Sequence, residues 1–447
     1  MNKSLGVIVG FCLSLTLLSV SSVSNAAPQV VGTKCMKAGS FRTTKNVKYR
    51  CKKSAKGLRW VITSPKGTPT TTTSTTATTS TTTRTLPIPD PVITNVEPCR
   101  LQSALESKSG GIGFPRHTTK LRSTGGVRLL VLFVDFPDSV ATKATESVLK
   151  IISPESERLY SEMSYGRVAF ELVPVNRWLR MSKESSAYNI RRNSSFGFLD
   201  HRNYLEEALR LGTIGLDTST LDGFIVLTNP ETKTIELGPA FALDDEFWGI
   251  RTGSKLWMAG TNSGFDLNYL GYKWMNHEIG HTMGLPDLYA YSGSSHRFVG
   301  GWSLMGLISG HAPEFFAWER WLLSWLDDNQ VICLPSGSIT ATLNAVPVVG
   351  GQKMIVTPIN QYQAVVVEVR RQLGNDFYVR EEGPLVYLVD TRLRGGNGVI
   401  KVLPINDIDV EKKSAPLSVG ETLIFEGMSV RYNSRTSYGD EITVTRN

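Results

Sequence analysis

Asn276-His277-Glu278-Ile279-Gly280-His281-Thr282-Met283-Gly284-Leu285-Pro286-Asp287 reads H-E-x-x-H-x-x-G-x-x-D. On a helix, histidines four residues apart project from one face, one turn from each other. Two neutral imidazoles so placed can take two corners of a zinc tetrahedron. Glu278 neighbours the first of them and can reach a zinc-bound water as its general base. Gly284 lets the chain turn sharply after the helix, and Pro286 stops the helix from resuming. Asp287 then stands where the returning chain can offer a third ligand. The chain has only six histidines, and two are here. The preceding run from Tyr269 to Asn276 supplies apolar residues for a buried helix face.

Downstream, Gly300-Gly301-Trp302-Ser303-Leu304-Met305-Gly306 is a tight glycine turn carrying Met305. From Pro313 to Leu326, aromatic and leucine residues recur at three- and four-residue spacing, which predicts a helix with Pro313 at its first position. Glu319 falls inside that apolar stripe. A buried carboxylate needs a partner, and zinc is one. The third ligand is therefore Asp287 or, alternatively, Glu319.

The first 26 residues predict a signal peptide: Lys3, an apolar run from Val7 to Leu18, and small residues at Ser24-Asn25-Ala26, with cleavage after Ala26. No later segment is long and apolar enough to be a membrane span. Residues 28–63 form a small basic module. Residues 28–66 hold eleven Lys and Arg and no Asp or Glu, more than the net +8 of the whole chain; with Lys3 set aside, the remainder is net −4. Cys35 and Cys51 are expected to pair, since an exported module this small needs a staple. Val47–Cys51 and Leu58–Ile62 alternate as short strands. The charge suits acidic cell-wall polymers or other anionic surfaces, held by a salt-sensitive attraction, with a solubilising charged face as the plainer reading. Nucleic acid is not expected as a partner. Residues 64–92 are a Thr/Pro-rich linker that cannot bury a core.

The body, residues 93–330, alternates strands and helices. Val127 to Pro137 reads as a buried strand, Ser147 to Tyr160 as a helix, Val168 to Leu172 as an alternating strand after a Ser164-Tyr165-Gly166 turn, Asn203 to Leu211 as a helix and Gly223 to Thr228 as a buried strand. Residues 331–447 carry several short strands separated by Gly, Asn and Asp turns, which suggests a β-sandwich-like domain. The class is α+β. Cys99 and Cys333 sit at the two ends of the body, where a disulfide would clamp it to the strand-rich region. A zinc-blocking thiolate at Cys99 is the alternative.

Residues 277–289 resemble the zinc segment of immune inhibitor A-type bacterial metalloproteases. Leu130-Val-Leu-Phe-Val-Asp-Phe-Pro137, Ser164-Tyr-Gly166, Trp302-Ser-Leu-Met-Gly306 and Ala317-Trp-Glu-Arg-Trp-Leu-Leu-Ser-Trp325 follow in the right order. The resemblance spans roughly 95–330 and leaves out the basic module and linker. It implies a metzincin-like fold and a secreted zinc endopeptidase, with His277 and His281 on zinc, Glu278 as base and Met305 in the turn beneath the metal. Where metzincins often carry a tyrosine two residues past that methionine, this chain has Leu307, so Tyr289, Tyr291 and His311 are the candidates for that role. Calcium often accompanies such proteases; Asp244, Asp245 and Glu246 could bind it, an exposed acidic loop being the plainer reading. The expected substrate is protein or peptide. The competing class is a non-catalytic surface-binding protein that keeps the fold as an interaction platform.

Overall fold

A computed structural model describes residues 41–44, 47–54, 57–62, 90–104, 110–192, 197–243, 248–404 and 409–446. The signal segment, Cys35 and with it the Cys35–Cys51 pairing, the linker up to residue 89, and Asp244, Asp245 and Glu246 lie outside them.

The chain divides into two compact units, Met1–Thr85 and Leu86–Asn447. In the first, β1 (Phe41–Thr44), β2 (Val47–Ser54) and β3 (Gly57–Ile62) form an antiparallel meander. β2 and β3 are the two expected strands, each somewhat longer. Lys52 pairs with Arg59, and Arg50 with Val61. By that register positions 43, 48, 50, 52, 59 and 61 share one face and 42, 49, 51, 53, 58, 60 and 62 the other, so Lys and Arg positions fall on both.

The second unit is mixed α and β. Its elements run β4 (Gly125–Asp135), α1 (Thr145–Leu149), α2 (Glu155–Met163), β5 (Val168–Arg180), α3 (Phe198–Gly212), β6 (Gly223–Thr228), β7 (Ile250–Thr252), β8 (Lys255–Trp257), β9 (Ala259–Asn262), α4 (Gly264–Asn268), α5 (Gly271–Thr282) and α6 (Ala317–Leu322). β5, β4, β6 and β9 form a parallel sheet in that order. The apolar run of β4 is explained by burial on both faces. Val127, Leu129, Val131 and Phe133 enter one core, and Leu130, Leu132 and Val134 the other. α5 packs into the first core through Met275 and Ile279, with Met283 just beyond its end; α3 packs into the second through Tyr204, Leu205, Ala208 and Leu209.

Two helical expectations need correction. The pattern from Ser147 to Tyr160 is split into α1 and α2, because Pro154 interrupts it and serves as the N-cap of α2. The run from Pro313 yields only the six residues of α6. Residues 313–316 are not helical: Phe316, at ψ 149°, is its N-cap, and Ser324, at φ 61°, ends the segment.

From residue 331 the chain is strands: β10 (Val331–Cys333), β11 (Gly337–Leu343), β12 (Met354–Asn360), β13 (Gln363–Arg370), β14 (Gly383–Asp390), β15 (Ile400–Val402), β16 (Thr422–Phe425), β17 (Met428–Arg435) and β18 (Asp440–Arg446). They build a five-stranded sheet, β10-β12-β13-β14-β15, and a four-stranded sheet, β11-β18-β17-β16. Val365, Val367 and Val369 of β13 share a core with Val430, Ile442 and Val444 of the second sheet. Ala364 and Val366, on the opposite face, join the core that holds α5 and Trp318. The five-stranded sheet is thus covered on both sides, and the main core runs through residues on both sides of position 330.

Cys99 and Cys333 form a disulfide across 234 residues of sequence. This overturns the zinc-blocking thiolate, since the sulfur is spent in that bond.

Candidate metal centre

α5 owes its place to its buried side. Tyr160 Oη donates to Asn276 O at 2.6 Å, and Asn276 Nδ2 donates to Ser156 O at 3.2 Å, fixing α5 to α2. Gly280 is needed for close approach: a Cβ there would meet Met305 Sδ at 2.7 Å. Met305 therefore lies directly under the turn that separates the two histidines. The carbonyls released at the end of α5 find donors in the segment before β4. Leu121 N donates to Thr282 O, Arg116 Nη1 to Met283 O and Gly111 N to Gly284 O. Gly284 takes φ 99°, the left-handed turn expected of it.

The turn sends Asp287 back over the helix. Asp287 Oδ1 lies 3.1 Å from His277 Nε2 and 3.2 Å from His281 Nε2, and the two Nε2 atoms are 3.2 Å apart. Among the described residues these three alone form a cluster able to hold a metal ion. Each ring is oriented by its other nitrogen. His277 Nδ1 donates to Leu304 O at 2.9 Å, and His281 Nδ1 donates to Leu285 O at 2.7 Å. A carbonyl can only accept, so in the neutral rings the Nε2 lone pairs face Asp287 with no proton between them. Three acceptors meeting at one point call for a cation. A tetrahedral zinc with bonds near 2.0–2.1 Å has ligand atoms about 3.3 Å apart, close to the triangle seen here. Burial opposes charge on His281, but Asp287 and Glu278 beside it outweigh this and raise it to about 9. Burial likewise opposes charge on Asp287, and the two histidines overcome it and hold the carboxyl well below its usual range. The field that attracts a proton here would attract a metal ion as well.

Glu278 stands beside the triangle. Its carboxyl is pushed up to about 7, chiefly by burial, with the histidines opposing. Ala240 N donates to its Oε2 at 2.6 Å. Ala240 belongs to a segment tied to β9 by two backbone bonds between Phe241 and Ala259, at 2.8 and 2.9 Å. Two cavities, ≈ 620 and ≈ 650 Å³, meet over this point, and His277, Glu278, Pro239 and Tyr289 line both. The centre thus sits midway along an open cleft.

Tyr291 Oη donates to Asp287 Oδ2 at 2.6 Å, and the Tyr289 ring stacks on His277, centroids 6.3 Å apart. His311 lies elsewhere, edge-on to Trp302 at 4.6 Å. Glu319 also lies elsewhere. Its Oε2 accepts from Ser303 Oγ at 3.0 Å and from Phe316 N at 2.9 Å. Ser303 Oγ in turn accepts from Met305 N at 3.1 Å. Glu319 therefore anchors the glycine turn whose Leu304 carbonyl orients His277, and the alternative ligand becomes a residue that supports the first one.

Sequence reasoning missed the backbone partners, Ala240 N, Leu304 O and Leu285 O, which carry no side-chain signature. It also missed the loop from Arg394 to Gly398. Gly396 N donates to Asp287 O at 3.1 Å, Tyr291 N donates to Gly396 O at 3.2 Å, and Arg394, Gly395 and Asn397 line the cleft. The glycines of that stretch were legible as a turn, but their contact with residue 287 was not. Compared with known proteins, the chain matches no family model and no curated protein, so the geometry of the site carries the functional reading.

Proposed function

We propose that the protein is a zinc-dependent endopeptidase, a hydrolase of the metzincin-like kind that the immune inhibitor A-type resemblance implies, exported and acting on extracellular proteins. The observation that carries this reading is the triangle of His277 Nε2, His281 Nε2 and Asp287 Oδ1 next to a buried Glu278, in a cleft open on both sides.

His277, His281 and Asp287 would hold the ion. Zinc there supplies a Lewis acid for the scissile carbonyl and for the attacking water. The rest falls to the chain. Leu304 O and Leu285 O keep both imidazoles in the tautomer that leaves Nε2 free. Glu278, buried beside the triangle with one oxygen fixed, would take a proton from the attacking water and pass it to the leaving nitrogen. Ala240 N fixes one oxygen of that carboxyl. Tyr291 holds Asp287 by the oxygen that does not face the histidines. A retained but inert scaffold has no need of a buried glutamate at this point, since burying a carboxyl is costly even with Ala240 N donating to it.

No helix among the described residues is long and apolar enough to cross a membrane. Attachment to a surface would then fall to the basic N-terminal module, with an acidic wall polymer as its partner.

Glu278→Gln keeps size and leaves both histidines. The expected result is near-normal zinc content by metal analysis with peptidase activity down on the order of a hundredfold or more. His281→Ala should lose the zinc too. Parent protein that takes up no zinc and cleaves no unfolded protein, even after limited proteolysis, would sink the proposal.

A further inference from the structure

We infer that Arg394 makes this cleft selective for a substrate carboxylate, presented close to the metal centre on the side of Asp287. The inference rests on the peptidase reading above and adds what that reading leaves open, the chemistry of the preferred substrate.

The two lobes of the cleft differ in charge. In the lobe on the far side of Glu278, Arg192 is already committed. Its Nη2 is 3.5 Å from Asp266 Oδ1, and its guanidinium lies over the rings of Phe265 and Trp274 at 5.1 and 5.7 Å. The other lobe has a largely apolar wall that includes Phe198, Phe241 and Leu243. The described anions lining it are occupied: Glu278 accepts from Ala240 N, and Asp287 faces the histidines and Tyr291. Among the described residues Arg394 is the one Lys or Arg lining it, exposed, and its guanidinium has no ion-pair partner there. A guanidinium stays charged at any working pH and presents a planar fork that matches a carboxylate.

Its position is fixed rather than left to a loose surface loop. The backbone of Gly396 is bonded to Asp287 and to Tyr291 on either side. Gly396 and Gly398 take φ 76° and 81°, and a Cβ at Gly396 would lie 2.3 Å from the Tyr291 ring. Asn397 N and Nδ2 both return to Arg394 O. Arg394 is thus carried by the same backbone that braces the third ligand. A charged fork on a braced backbone reaches a limited part of the cleft, so it selects by position as well as by sign.

The test uses the full chain carrying Glu278→Gln, so that peptides bind without being cut. Three peptides with a neutral dye are compared by anisotropy: an internal Glu series with an amidated end, the matching Gln series, and the Gln series with a free C-terminal carboxylate. The Glu peptide, with its acid scanned through the sequence, is expected to bind about fivefold more tightly than Gln at one or two positions, at low salt. The gap should close as salt rises. Adding Arg394→Ala should bring Glu down to the level of Gln, and Arg394→Glu should reverse the order. If the free carboxylate gains instead of the internal Glu, the recognised group is a chain end. Equal binding of all three, or a preference that survives Arg394→Ala, overturns the inference alone. Binding of no peptide at all overturns it together with the peptidase reading.

Discussion

Glu319 holds a fully buried carboxyl whose Oε1 has no hydrogen-bond partner among the described residues. Burial raises its pKa to about 7, against the bonds from Phe316 N and Ser303 Oγ. A carboxyl raised on folding contributes stability that is complete below its unfolded pKa, near 4.5, and is lost as the pH climbs through about 7. Glu319→Gln cannot titrate and should lack that loss. Denaturant unfolding at pH 5 and pH 8 should show the gap between parent and variant moving toward the variant, by on the order of 1 kcal/mol per pH unit at most. A gap that does not change with pH would remove this role. The same variant separates the two ligand readings. Zinc content should survive Glu319→Gln and fall in Asp287→Ala, because only Asp287 touches the histidines.

The segment from Ala312 to α6 is fastened to β13 by a wholly buried ionic cluster. Arg370 Nε donates to Asp376 at 2.8 Å, its Nη1 to Glu368 at 2.9 Å, and its Nη2 to the carbonyls of Ala312 and Glu314. Glu368 also accepts from Ala317 N and Tyr387 Oη, while Arg320 pairs with Glu314. Removing one member strands the others without water. Arg370→Ala should cost about 3–5 kcal/mol in reversible unfolding; a loss below 1 kcal/mol would mean the cluster relaxes freely. This cluster also marks the limit of what could be read from the chain. β4 and β6 were legible as unbroken apolar runs, β5 by its alternation from Val168 to Leu172, and α5 by the spacing of His277 and His281 after the apolar residues from Tyr269 to Asn276. The convergence of the two histidines with Asp287 was legible because they lie a few residues apart, on one helix face and just past a glycine turn. α6 was overestimated because its aromatic stripe is also what a loop buried between two cores requires. Glu319 stood as the alternative ligand for a related reason: composition says that a buried acid has a partner, and only packing says that the partner is Ser303. β1, β7, β8, β9, β10, β11, β15 and β17 were missed, β11 and β17 being rich in Ser, Thr and Arg and the others only three or four residues long.

At the scale of the molecule the N-terminal meander and the body invite separate tests. Deleting residues 28–66 should abolish salt-sensitive retention on an acidic polymer matrix and leave peptide cleavage unchanged; equal retention of the shortened protein would remove the docking role. Truncation after Asp328 should behave quite differently. The core that holds α5 also contains Val356, Val366, Leu385, Tyr387 and Ile400, so the shortened body should show no cooperative thermal transition by circular dichroism. A sharp transition would mean that the first part folds on its own. The loop from Arg394 to Gly398 has a further consequence, one of timing. A ribosome delivers His277, Glu278 and His281 well before it reaches Gly396. Until then Asp287 lacks its backbone brace and the cleft lacks a wall, so the nascent chain displays the motif without a finished centre. On the peptidase reading, the order of synthesis would postpone the chemistry until the chain has passed Gly396.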